Sequence, residues 1–196
     1  MSRVCISDVP SSENSQSAEG LLAEDHEALG KLLNALLAAL DQGDAPTAFA
    51  RLDRFWGRLA MHIRGEHLHL FPAILRALDG DTGKLANEAP TLPEAREAIA
   101  QLRCDHDFFM HELAGAVKVM RDCRTTAGAD STSQIESVRQ VIATVRDRLE
   151  VHNNLEEDMV YRWPARLLKA ADQAALEVEI RGELKNLPPR LRDEAD

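Results

Sequence analysis

The sequence predicts an all-α protein, an antiparallel up-down-up-down four-helix bundle with a short C-terminal fifth helix. Three observations carry that prediction. Apolar residues recur at alternating steps of three and four along four long stretches, the spacing that lines one face of a helix. Strand signals are nearly absent, because β-branched runs are short and aromatic residues make up only 4% of the chain. The stretches are joined by short turn-rich breaks, which favour antiparallel neighbours. A chain of 196 residues can bury one substantial core. One bundle domain over 18–168 is therefore expected, preceded by a tail over 1–17 and followed by a short helix and tail over 169–196.

The Ser-rich stretch 1–17 reads as disordered. The first helix, about 18 to 42, turns Leu22, His26, Leu29, Leu33, Leu36 and Leu40 inward. "QGDAP" breaks it, with Asp44 a cap and Pro46 near the first turn of the second helix. That helix sets Leu52, Phe55, Leu59, His62, Glu66 and His69 on one face before Pro72 kinks or ends it, with a coda to Leu78. After "DGDTGKLANEAPTLP", the third helix runs from about Pro93 to Cys123 with Ile99, Leu102, His106, Phe109, Leu113 and Met120 inward. "RTTAGADSTS" is a loop. The fourth helix carries Ile135, Val138, Ile142, Val145, Leu149, His152, Glu156, Met159 and Trp163 up to Pro164, repeating the pattern of the second. Residues 170 to 185 form the short fifth helix, and "NLPPRLRDEAD" reads as a mobile end.

A net charge of −10 and a pI near 5.2 disfavour nucleic acid and anionic membranes as partners, since both attract basic patches. No stretch approaches the roughly 18 uninterrupted apolar residues of a membrane span, and the beginning lacks an apolar secretory core. A soluble, cytoplasmic protein is expected. Of the cysteines, Cys5 lies in the tail, while Cys104 and Cys123 stand nineteen residues apart on one helix. That is roughly 28 Å, far beyond disulfide reach, so free thiols in a reducing compartment are expected.

Each apolar stripe is interrupted by a histidine, and a fixed rise per residue lets their heights be compared. His26 lies 16 residues before the end of the first helix, and His62 lies 16 after the start of the second. The midpoint of His62 and Glu66 matches His106 across the next loop, and His106 matches His152 across the last. Four histidines and two glutamates thus fall in one slice of the core. Burying such groups without partners costs several kcal/mol, so the slice calls for a shared counter-charge, which a metal supplies. The pairs His62/Glu66 and His152/Glu156 have the spacing that sets imidazole and carboxylate one turn apart on one face. Composition predicts fewer than one such pair by chance. Mixed imidazole and carboxylate donors suit iron or manganese, and carboxylates from two helices can bridge two ions inside a bundle.

The stretches "EDHEAL", "HIRGEHLHLFP", "CDHDFF" and "HNNLEEDMVY" resemble the hemerythrin-like HHE cation-binding domain over about residues 20 to 165. The resemblance implies a four-helix bundle with a non-haem di-iron centre, in a family that carries or senses oxygen, responds to nitric oxide or oxidants, or handles iron. It implies as ligands His26, His62, Glu66, His106, His152 and Glu156, with the two glutamates bridging two irons that share an oxo or hydroxo group; manganese or zinc are alternatives. Many relatives have a further histidine four residues after the third-helix one, and here that position is Met110. His69, seven residues after His62, is the better geometric substitute, and His111 is turned roughly 140° from His106. Two octahedral irons need about twelve bonds, of which these ligands and a bridging oxygen supply about ten. About two positions stay open for a diatomic molecule, which favours sensing or redox chemistry over simple oxygen carriage. Leu29, Leu59, Phe55, Phe109 and Leu149 would exclude water from the site.

Other polar residues receive plainer readings. His67 lies on the flank of the second helix, at the surface or placed to orient a ligand. Glu157 reads as solvated or paired with a nearby arginine, Tyr161 and Trp163 as core packing, and Cys104 as a small buried apolar residue facing away from the site. The expected function is a cytoplasmic di-iron protein that binds or senses oxygen, nitric oxide or peroxide, or handles iron. The alternatives are a di-metal oxidase, peroxidase or hydrolase, and a regulatory module whose metal only stabilises the fold.

Overall fold

The structure, a computed structural model, describes residues 17–80, 89–123 and 130–192. No strand occurs among the described residues. Helix α1 spans Ala18–Asp41, and the Ser17 hydroxyl caps it by accepting from the Gly20 N–H at 3.1 Å. Gly43, at φ +68°, makes the left-handed turn into α2, Ala45–Gly65, whose first turn is capped by Asp44. Helix α4, Leu92–Cys123, begins with a reciprocal cap in which Thr91 and Glu94 bond each other's backbone N–H groups. Helix α5 covers Asp130–Asp158, so part of the expected loop is helical. Helix α1 packs on α2, α2 on α4, α4 on α5, and α5 returns to α1, closing a ring of four long helices.

The second helix does not stop at Pro72. It passes through a π turn at Glu66–Leu70, where the Phe71 N–H reaches back five residues to the Glu66 carbonyl, and continues as α3, Phe71–Gly80. Proline has no N–H to give, and its ring strikes the carbonyl four residues back in a regular helix; the wide turn absorbs that conflict. The fourth helix, expected to run to Trp163, breaks at Met159, where φ is −132°. A 3-10 turn at Val160–Arg162 follows, then α6, Trp163–Leu167, with Pro164 at its start. The break turns Met159 outward and buries Val160, Tyr161 and Trp163.

Helix α7, Ala170–Leu184, lies across α1 and α2 with Leu176 and Ile180 buried. The expected mobile end is in part docked: α8, Pro189–Arg192, inserts Leu191 against Gly57, where an added Cβ would collide with Leu191 Cδ1, and Arg190 pairs with Asp53. The remainder of the two expected tails, 1–16 and 193–196, lies outside the described residues.

Buried apolar side chains form two clusters. One holds Leu29, Leu36, Phe55, Leu59, Phe109 and Val145; the other holds Leu22, Phe71, Ile74, Leu102, Tyr161 and Ile180. On each long helix the buried polar residues fall between the two: Asp25 and His26, His62 and Glu66, Asp105 and His106, His152 and Glu156. The polar layer is therefore walled above and below by hydrocarbon.

Candidate metal centre

The six side chains singled out by spacing converge in that layer, each 7% exposed or less. His26 Nε2 and His62 Nε2 stand 3.1 Å apart, and His106 Nε2 and His152 Nε2 stand 3.0 Å apart. Glu66 and Glu156 lie between the two imidazole pairs and show one oxygen to each. Glu66 Oε1 is 3.7 Å from His62 Nε2, while its Oε2 is 3.3 Å from His106 Nε2. Glu156 Oε2 is 3.3 Å from His26 Nε2, and its Oε1 is 3.1 Å from His152 Nε2. His26, His62 and Glu156 form one group of donors close enough to hold an ion, and His106, His152 and Glu156 form a second.

The surroundings repeat with two-fold regularity. His62 Nδ1 donates to Asp25 at 3.0 Å, and Asp25 in turn accepts from Arg58; His152 Nδ1 faces Asp105 at 3.4 Å, and Asp105 accepts from Arg148. The residue after each central glutamate crosses to the other half: Glu157 accepts from His26 Nδ1 at 2.7 Å, and His67 Nε2 meets His106 Nδ1 at 2.9 Å. A carboxylate at Nδ1 holds the proton on that nitrogen and turns Nε2 inward as a donor to a cation. Sequence reasoning missed Asp25, Asp105, Arg58 and Arg148, yet a signal existed. Arginine, histidine and glutamate recur at four-residue steps in both halves, and each partner histidine is preceded by aspartate.

Electrostatics set the two carboxylates apart. Burial and the charge of Glu156 push Glu66 well above the usual carboxylate range. Burial also pushes Glu156 upward, but the adjacent imidazoles of His152 and His26 outweigh it and hold this carboxyl well below its ordinary value. Burial drops His106 to about 2, so this ring stays neutral. Burial opposes protonation of His26 as well, but Glu156 and Glu157 together raise it above its ordinary value. Without a cation, two carboxylates this deep cannot both ionise. Glu66 Oε2, which faces His106, and Glu156 Oε1, which faces His106 and His152, are fully buried without a hydrogen-bond partner. Orphaned acceptors aimed at imidazole nitrogens are what a cation would satisfy, and the donor set fits a metal.

Several secondary expectations are corrected. His69 sits away from the layer, its Nδ1 3.3 Å from Glu179 on α7. The π turn advances the chain by fewer degrees per residue than a regular helix, so seven steps no longer bring His69 over His62. His111 is exposed, as its turn away from His106 requires. Glu157 pairs with His26, and Cys104 is exposed because it lies on the outer face of α4; Cys123 is buried, and both are free thiols. Tyr161 is more than core packing. Its hydroxyl donates to Glu66 Oε1 at 2.7 Å and lies 3.1 Å from Glu156 Oε2, from His26 Nε2 and from His62 Nε2.

No helix among the described residues is long and apolar enough to cross a membrane. No curated protein and no solved structure matches the chain. The profile of the hemerythrin HHE cation binding domain matches residues 18–163, which takes in all four long helices and every residue of the polar layer. The buried imidazoles and carboxylates fit a metal site, and the chain belongs to the hemerythrin HHE cation-binding family.

Proposed function

We propose that the chain is a non-haem di-iron protein that binds or senses a small oxidant such as oxygen, nitric oxide or peroxide, or that handles iron. The observation that carries this reading is the pair of imidazole couples with Glu66 and Glu156 each showing one oxygen to either side. In it His26, His62, His106 and His152 would hold the ions from either side, and Glu66 and Glu156 would each offer an oxygen to both. A mixed nitrogen and oxygen donor set suits iron, with manganese and zinc as competitors. When bound, two such ions supply Lewis acidity and one-electron redox capacity beside each other.

The protein's own part is to position and to exclude. Asp25, Asp105 and Glu157 orient three imidazoles through Nδ1. Phe109 packs edge-on against His152 and Phe71 lies parallel to His106, so water is kept from two of the ligands. A surface cleft bounded by Ser17, Glu19, Pro164 and Gln173 ends against Tyr161. A cytoplasmic, reducing setting belongs to the same reading and keeps Cys104 and Cys123 as thiols.

Metal analysis after anaerobic loading with ferrous iron tests the assignment. About two irons per chain are expected for the unaltered protein and for His69→Ala and His111→Ala, with a strong loss in His62→Ala and Glu156→Ala. Equal iron in all five proteins would defeat it.

A further inference from the structure

The two halves of the centre share a frame but differ in some of the side chains set around it. Asp25, His26, Arg58, His62 and Glu66 correspond to Asp105, His106, Arg148, His152 and Glu156, whereas His67 answers to Glu157 and Phe71 to Tyr161. Phe71 lies over His106 with its ring centroid 6.2 Å away, and Tyr161 lies near His26 at 5.5 Å. One oxygen atom therefore breaks the symmetry next to the donors.

Its position is informative. Donors bonded to one octahedral ion at about 2.1 Å stand about 3 Å apart along each edge of the polyhedron. Tyr161 Oη is 3.1 Å from His26 Nε2, 3.1 Å from His62 Nε2, 3.1 Å from Glu156 Oε2 and 2.7 Å from Glu66 Oε1. Those four atoms are the donors of one half, themselves separated by 3.1 Å for the imidazole pair and 3.3 Å for His26 with Glu156. The oxygen thus sits where a fifth vertex belongs. Core packing alone does not ask a phenol to approach two nitrogens and two carboxylates equally, and a hydrogen bond to Glu66 needs only one of these contacts.

We propose that Tyr161 is itself a metal ligand, its phenolate oxygen binding the ion held by His26 and His62. The inference rests on the di-iron reading above. On metal binding the phenol O–H bond breaks, the metal–oxygen bond forms, and the proton is released to solvent, with no change of oxidation state. The positive ion supplies the charge that a phenolate between two carboxylates otherwise lacks. The ion near His26 then has five protein donors and the ion near His106 has four, which leaves the latter the more open of the two.

The chain contains a single tyrosine, so any tyrosinate signal belongs to Tyr161. The full chain, loaded anaerobically with ferrous iron and then oxidised in air, is assayed for metal and examined by visible absorption and resonance Raman spectroscopy. With about two irons bound, a visible phenolate-to-iron band is expected, with ring vibrations that shift when the protein is made with ring-deuterated tyrosine. Tyr161→Phe should lose that band while keeping at least half its iron. Two bound irons with no deuterium-sensitive ring vibrations would overturn this proposal and leave the di-iron reading standing; absence of bound iron would overturn both. Should Tyr161→Phe fail to fold, the labelled unaltered protein decides the question alone.

Discussion

Asp25 and Asp105 show how single residues set the quality of the centre. Each accepts from an imidazole of the polar layer and is itself held by an arginine, so turning either ring would leave a fixed aspartate without its partner. Losing such an outer partner typically weakens metal binding about 10–100-fold. Asp25→Asn should therefore lower iron affinity within that range, read by competition with a chromophoric chelator. Asp105→Asn should cost less, because its contact to His152 is 3.4 Å against 3.0 Å for Asp25 and His62. The reverse order would mean that these contacts do not limit metal binding. At this scale the ligand-type residues were legible, since histidine and glutamate spaced four apart announce themselves on a helix. Of their Nδ1 partners only His67 was legible as a residue that could orient a ligand; Glu157 was not, because it reaches across to a different helix.

At the scale of elements, capping and turn geometry decide where side chains point. Asp44 accepts from the Thr47 N–H at 3.1 Å, and hydrogen bonding from the Thr47 side chain and backbone holds its carboxyl below its ordinary, unfolded value. A lowered folded-state value means the cap's contribution is whole above that unfolded value and is lost as pH falls through the folded one. Asp44→Asn cannot titrate, so its first turn of α2 should keep its hydrogen-exchange protection under acid conditions where the unaltered protein loses it. Equal acid sensitivity in both would assign the loss to some other group. The π turn before Pro72 matters in the same way. Periodicity predicted the stripe as far as Glu66, and the proline warned of a disturbance. The form that disturbance took rotated His69 toward α7 and placed His67 against His106.

The molecule as a whole is two apolar clusters with a charged layer between them. The clusters span all four long helices, so the fold does not depend on metal alone, but the layer holds two buried carboxylates that a cation would relieve. Free metal at about a hundred times its dissociation constant stabilises the folded state by about 2.7 kcal/mol. In a chain of this size each kcal/mol moves Tm by roughly 2–4 °C. Adding ferrous iron to the metal-free protein under anaerobic conditions should therefore raise Tm by roughly 5–10 °C, as measured by calorimetry, and a chelator should reverse it. An unchanged Tm would show that the layer is stable without a cation.

The amino-acid order by itself determined the number of long helices, the faces they bury and the common height of four histidines and two glutamates. These follow from local rules, a fixed rise and a fixed angle per residue, that hold along any regular helix. What only the tertiary structure decided arises where those rules break or where separate helices meet. The π turn, the break at Met159 and the docking of α7 and α8 re-aimed His67, His69 and Tyr161. The crossing contacts of Glu157 and Tyr161 with His26 join residues more than a hundred positions apart. No pattern within one helix encodes such contacts, because they depend on how two rods are rotated against each other.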